Sequence, residues 1–65
     1  MKIIEIADWI LNKNLSAQER TAFYNSSSFD ECKIIRTTDN ALLVKFFTDF
    51  GTFTSWFPKS QCSYT

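Results

Sequence analysis

The sequence predicts an α+β fold, with two N-terminal helices packed on a three-stranded antiparallel β-meander. Three observations carry that prediction. Apolar residues recur at three- and four-residue spacing near the N-terminus. A helix-capping sequence follows at once. From residue 31 onward the helical period gives way to short apolar, β-branched and aromatic runs divided by turn residues.

The first segment, MKIIEIADWILNKNL, sets Ile3, Ile6, Ala7, Ile10 and Leu11 on one helical face. Lys2, Glu5, Asp8, Asn12 and Lys13 lie opposite, with Ile4 and Trp9 at the flanks. This predicts a helix over residues 3–14, capped by Asn14. The β-branched run in KIIEI favours a short strand instead, but the period continues through Leu11 and decides for helix. Ser16 and Glu19 have the spacing of a capping box, in which the hydroxyl accepts from the Glu19 N–H and the carboxylate reaches back. A second helix is expected over residues 17–25, with Ala17, Thr21 and either Phe23 or Tyr24 facing inward. The short break at 14–16 places the helices in a close hairpin or corner. In NSSSFDE, three serines compete with the backbone for hydrogen bonds and end the second helix.

Strands are expected over residues 31–38, 41–48 and 52–57. Asp39-Asn40 suits a two-residue hairpin turn, because both residues tolerate positive φ. Asp49-Phe50-Gly51 suits a three-residue loop with Gly51 left-handed. These loops set Ile35 opposite Val44, Val44 opposite Trp56, Phe47 opposite Phe53 and Leu43 opposite Phe57. Alternation then sorts the side chains. One face carries Ile35, Leu42, Val44, Phe46 and Trp56. The other carries Cys32, Ile34, Leu43, Phe47, Phe53 and Phe57, with Arg36 and Lys45 among them. Both faces are apolar enough to bury, and two short helices cover one. Pro58 cannot donate to a ladder, so it ends the third strand. KSQCSYT reads as a turn and tail with room for one more extended pairing.

Sixty-five residues make one domain, residues 1–65. So short a chain is marginal alone, but 45% of it is hydrophobic and 17% aromatic. Seven Lys/Arg balance seven Asp/Glu, which argues against a dedicated phosphate binder and leaves homodimerisation open. Cys32 and Cys62 are too few for a disulfide framework and are expected to be free thiols. No apolar stretch of transmembrane length and no signal-peptide core is present, so a cytoplasmic protein without membrane contact is expected.

The chemistry is narrowed further by what is missing. The chain has no histidine and one glycine. The commonest general base and metal ligand is therefore absent, and no glycine-rich phosphate loop can form. The carboxylates fall at helix surfaces, caps and turns. No enzyme activity, catalytic residue, metal or cofactor is expected. Two groups of residues stand out for binding. Arg36, Lys45, Phe47, Phe53 and Phe57 form a candidate interaction face, where rings and cations on a sheet could stack single-stranded bases. Trp56, Pro58, Lys59, Ser60 and Gln61 form a candidate recognition motif. A helix-turn-helix reading of the N-terminus would display Gln18 and Arg20, but the pair is short and not basic.

The segment ALLVKFFTDFGTFTSWFPKSQC resembles the C-terminal part of small proteins encoded by bacteriophages and other mobile elements. In those, an apolar strand and a turn precede a strand ending in Trp-x-Pro-Lys-Ser-Gln. Here Ala41, Leu42, Leu43 and Val44 match the strand, and Trp56 to Gln61 match the ending. The resemblance covers about a third of the chain and leaves out the N-terminal helices. It implies no activity, but it implies a context, a short intracellular protein of a phage, prophage or plasmid, and such proteins often act by binding a host or phage protein. The leading expectation is thus a non-enzymatic protein-interaction module with an unidentified protein partner. The alternative is a weak single-stranded nucleic-acid binder in which Lys33, Arg36, Lys45 and Lys59 meet phosphate.

Overall fold

Residues 2–65 are described by the structure, a computed structural model; Met1, the first residue of the expected 1–65 domain, lies outside them. The elements run β1 (Ile3–Ile6), α1 (Asp8–Asn14), α2 (Ala17–Ser26), β2 (Lys33–Thr37), β3 (Ala41–Thr48), β4 (Gly51–Pro58) and β5 (Cys62–Tyr64). Short 3-10 turns at Phe29–Glu31 and Lys59–Gln61 precede β2 and β5. Strands β2, β3 and β4 form an antiparallel meander, and β1 pairs antiparallel with β5 in a separate ribbon. The α+β class with two helices and a three-stranded sheet matches the expectation. The terminal ribbon is an addition to it.

The helix expected over residues 3–14 is a strand followed by a shorter helix. Ile3 pairs with Tyr64, Glu5 with Ser63 and Ile6 with Cys62, so Ile4 is the extra residue of a bulge. A bulge lets residues three apart point the same way. Ile3 and Ile6 are therefore both buried, while Ile4 and Glu5 are exposed. The spacing that reads as a helical turn is a bulged strand, and the isoleucines follow their β preference. Helix α1 then buries Ile10 and Leu11, with Asp8 in its first turn and Lys13 in its last, each on the favourable end of the helix dipole.

Helix α2 starts as its cap predicts. The Glu19 N–H donates to Ser16 Oγ at 3.2 Å, and the Ser16 N–H donates to Glu19 Oε1 at 2.9 Å. Ala22 and Phe23 are buried, whereas Ala17, Thr21 and Tyr24 are exposed. Arg20 Nη1 donates to the carbonyls of Asn12 and Leu15 at 3.0 and 2.8 Å. These carbonyls sit at the C-terminal end of α1, where the helix itself supplies no partners. Arg20 thus ties the helix corner together and is not displayed for base contact.

Register differs from expectation in two places. Near the first turn, Thr37 pairs with Leu42 and Arg36 with Leu43, as a two-residue loop requires. Ile35 then bulges, and Ile34 instead of Ile35 faces Val44. No residue except Gly51 has positive φ among the described residues, so Asp39-Asn40 turns without left-handed backbone. Thr38 supports it, accepting from the Ala41 N–H at 3.1 Å through Oγ1. The second hairpin is one residue tighter than expected. Thr48 pairs with Gly51, leaving Asp49-Phe50 as the tip, and Gly51 has φ +123°. Thr48 Oγ1 accepts from the Phe50 N–H at 3.1 Å, and Ser26 Oγ accepts from the Asp49 N–H at 3.0 Å. That one-residue change moves every β4 side chain to the other face.

The consequence is a one-sided core. Leu42, Val44, Phe46 and Phe57 are fully buried beneath the helices together with Ile3, Ile6 and Leu11. Phe46 is the hub. Its ring stacks on Phe53 at 4.9 Å and meets Phe23 and Phe57 edge-on at 5.4 and 5.8 Å, the tilted and offset geometries that aromatic quadrupoles favour. Phe29, Ile34 and Cys62 pack at its margin.

Candidate functional site

The other face of the meander is where the surface chemistry gathers. Directly opposed residues of antiparallel strands project side by side, so the register arranges this outer face in rows. Arg36, Leu43 and Trp56 form one row; Lys33, Lys45 and Thr54 the next; Phe47 and Thr52 the last. Successive rows are roughly 6.6 Å apart, two residues of extended chain. Ile35 in its bulge stands beside Arg36 and is exposed.

The middle row carries an electrostatic conflict. Lys33 and Lys45 are direct cross-strand partners, a like-charge arrangement that destabilises a sheet. Both ammonium groups are drawn to the same ring, with Lys45 Nζ 5.4 Å and Lys33 Nζ 6.0 Å from the Phe47 centroid. No carboxylate relieves them. The one ion pair among the described residues is Lys2 with Asp30 at 3.9 Å. Glu5, Asp8, Glu19, Asp30 and Glu31 belong to the ribbon, the helices and the turn before β2, and Asp39 and Asp49 sit in the hairpin turns. Three of the seven basic residues of a neutral chain therefore share one face with no acid on it.

Trp56 completes the face. It is 44% exposed, while its backbone carbonyl accepts from Asn14 Nδ2 at 2.9 Å. The ring thus projects from a strand fixed on the end of α1. The expectation that Trp56 shares the core face with Leu42, Val44 and Phe46 is corrected by the tight second hairpin. The same shift removes two members of the expected interaction face. Phe57 is 1% exposed, and Phe53, half-buried on the inner face, stacks on Phe46 at the margin of the core. Arg36, Lys45 and Phe47 remain together on the outer face, joined by Lys33 and Trp56. The signal for Trp56 was the Thr48–Gly51 closure, which turn chemistry alone does not distinguish from a three-residue loop.

The remainder of the candidate motif is a connector. Pro58 ends β4 opposite Ala41. The Lys59 N–H donates to the Asn40 carbonyl at 2.8 Å, and the Ala7 N–H donates to the Gln61 carbonyl at 3.0 Å. Lys59, Ser60 and Gln61 thus turn the chain from the meander into the terminal ribbon, while Trp56 and, two residues on, Pro58 are the members of that motif on the outer face.

Neither cysteine is set up as a nucleophile. Both are free, and their thiols donate to the Ser28 and Pro58 carbonyls, each at 3.3 Å. Burial pushes Cys32 up to about 12, with Glu31 adding to the effect, and burial also raises Cys62. Reactive thiols require the opposite shift. A separate cleft of about 560 Å³ lies between α2 and the β3–β4 hairpin, lined by Ala17, Thr21, Ala22, Phe50 and Phe53 among others. Its one carboxylate, Glu19, is engaged in the capping box.

No helix of the described residues is long and apolar enough to cross a membrane. Comparison with protein-family models, curated proteins and solved structures gives no match for the chain.

Proposed function

We propose that the chain is a non-enzymatic binding module that holds an anionic macromolecule on the outer face of its three-stranded sheet. The observation that supports this best is the cross-strand pair of Lys33 and Lys45, gathered on Phe47 without a carboxylate. A zero net charge argues against an anionic partner only if charge is evenly spread, and here it is segregated. Resemblance of residues 56–61 to small mobile-element proteins supports a cytoplasmic phage or plasmid setting, in which binding a host or phage partner is the mode of action.

Retention on a heparin column tests the face. The wild-type chain should bind at low salt and elute as salt rises. Lys33→Gln with Lys45→Gln should elute at clearly lower salt, whereas Lys2→Gln with Lys13→Gln, off this face, should elute near wild type. Equal shifts for both pairs, or no wild-type retention, would refute the assignment.

A further inference from the structure

We infer that the anionic partner of this face is a single-stranded nucleic acid, with its phosphates on Lys33 and Lys45 and a base stacked on Trp56; the inference rests on the anion-binding reading above. Three features select this ligand over other anions. First, cations and rings occupy adjacent rows of one face. Trp56 and Phe47 lie in the rows on either side of the Lys33–Lys45 row, about two residues from it. A single strand presents charged backbone and planar bases in the same repeat, so it meets both kinds of group at once. An acidic peptide offers Trp56 a ring only where an aromatic side chain happens to lie beside its carboxylates, whereas a single strand offers a base in every repeat.

Second, the path is open. Thr52 and Thr54 are the β4 residues beside Phe47 and Lys45, and both are exposed and small. Their hydroxyls can bond to phosphate or base edges without blocking the strand. Third, Lys45 lies on the central strand. A lysine on edge strand β2 guards against edge-to-edge pairing, and Lys33 alone would be explained that way. Lys45 opposite it has no such role, and an anion bridging the two relieves their repulsion. Duplex is disfavoured, because its bases are stacked on one another and unavailable to Trp56.

The test uses a Trp9→Phe chain, which leaves Trp56 as the sole tryptophan. Its fluorescence is titrated with an oligothymidylate of about 12 nucleotides, the matching duplex, and polyglutamate, across a salt series. Saturable quenching by the single strand is expected, stronger than by the duplex. Replacing Lys33 and Lys45 with Gln should flatten log K against log salt by about 1.4, roughly 0.7 for each phosphate no longer neutralised. Trp56→Ala, followed by anisotropy of labelled oligonucleotide, should weaken binding by about 5- to 150-fold. Thermal melts confirm that each variant is folded. Polyglutamate binding without oligonucleotide binding overturns the nucleic-acid inference and leaves the anion-binding face intact. Equal or tighter duplex binding, or single-strand binding unchanged by both variants, also overturns it. Failure of every polyanion at low salt removes both readings.

Discussion

If Lys33 and Lys45 are held together for a ligand, reversing one charge should stabilise the fold while abolishing binding. The two amines lie 6.0 and 5.4 Å from one ring centroid, so at most about 11.4 Å separates them. At that distance their repulsion is about 0.4 kcal/mol in water, and about 1.5 kcal/mol at the effective dielectric of a protein surface. Lys33→Glu removes that repulsion and replaces it with an attraction of similar size. Against this stands the weaker of the two cation–ring interactions with Phe47, about 0.5 kcal/mol at an exposed site, which the substitution removes. These terms together span about 0.3–2.5 kcal/mol, but exposed charge pairs are worth at most about 1 kcal/mol, so the net gain should be about 0.3–1 kcal/mol at low ionic strength, raising the melting temperature by about 2–7 °C for a chain of 65 residues. At about 1 M salt the Debye length falls to roughly 3 Å, so the gain should vanish and the missing interaction with Phe47 should leave the variant slightly less stable. Circular-dichroism melts at both salts measure this. A variant that is less stable at low salt, or equally stabilised at both, would show that the pair carries no repulsion, and the case for an uncompensated anion site would fall with it.

Ser27 Oγ is buried with no hydrogen-bond partner among the described residues, so Ser27→Ala should raise stability by about 1 kcal/mol in denaturant melts. Phe46→Ala removes the ring that joins Phe23, Phe53 and Phe57. It should cost about 3–5 kcal/mol, enough to abolish a cooperative transition in so small a domain, while Phe46→Leu should keep a weakened one. Cys32 is raised to about 12 in the folded chain from an ordinary value of 9.0. The unfolded chain therefore releases this proton first as pH rises, and stability should fall between about pH 9 and pH 12, by at most about 1.4 kcal/mol per pH unit. Cys32→Ala should lose that alkaline slope in pH-dependent melts. Finally, two copies joined across the outer face would oppose Lys33, Arg36 and Lys45 of each without a carboxylate. Sedimentation at low salt should therefore show no dimer that depends on Trp56, and a dimer dissolved by Trp56→Ala would contradict the charge argument.

The helix cap was legible because its two hydrogen bonds are local: Ser16 and Glu19 fix each other whatever lies around them. The three strands of the meander were legible from composition and turn residues. What misled was the backbone irregularity at two bulges. Ile4 and Ile35 each add one residue to a strand, and nothing in a side-chain pattern marks an added residue. At β1 the bulge turns a two-residue period into the three-residue spacing of a helix. At the second hairpin, the bond from the Asp49 N–H to Ser26 spans twenty-three positions, so the tight closure depends on a tertiary contact. The candidate face inherited these errors. Arg36, Lys45 and Phe47 stayed together because they are placed by the β2–β3 pairing near the correctly read turn and by β3 itself. Phe53, Trp56 and Phe57 exchanged faces because all three depend on the closure of β4.

A plainer account of the outer face is that long side chains merely shield it. Lysine stems can lie along apolar surface while their ammonium groups reach water, and Lys45 is half-buried beside Phe47 and Leu43. Such shielding explains the length of these side chains but not their sign. A shorter Gln or Glu, with two methylenes in place of four, would still cover part of Phe47, and Glu at one of the two positions would turn repulsion into attraction across the strands. A sequence shaped by stability alone would carry opposite charges at 33 and 45. The chain does not lack acids, since seven lie on its other surfaces and turns, yet none is placed here. Local choices that oppose the fold's own stability tend to mark functional positions, and in this chain the choice is a like-charged pair on an aromatic sheet face next to an exposed tryptophan.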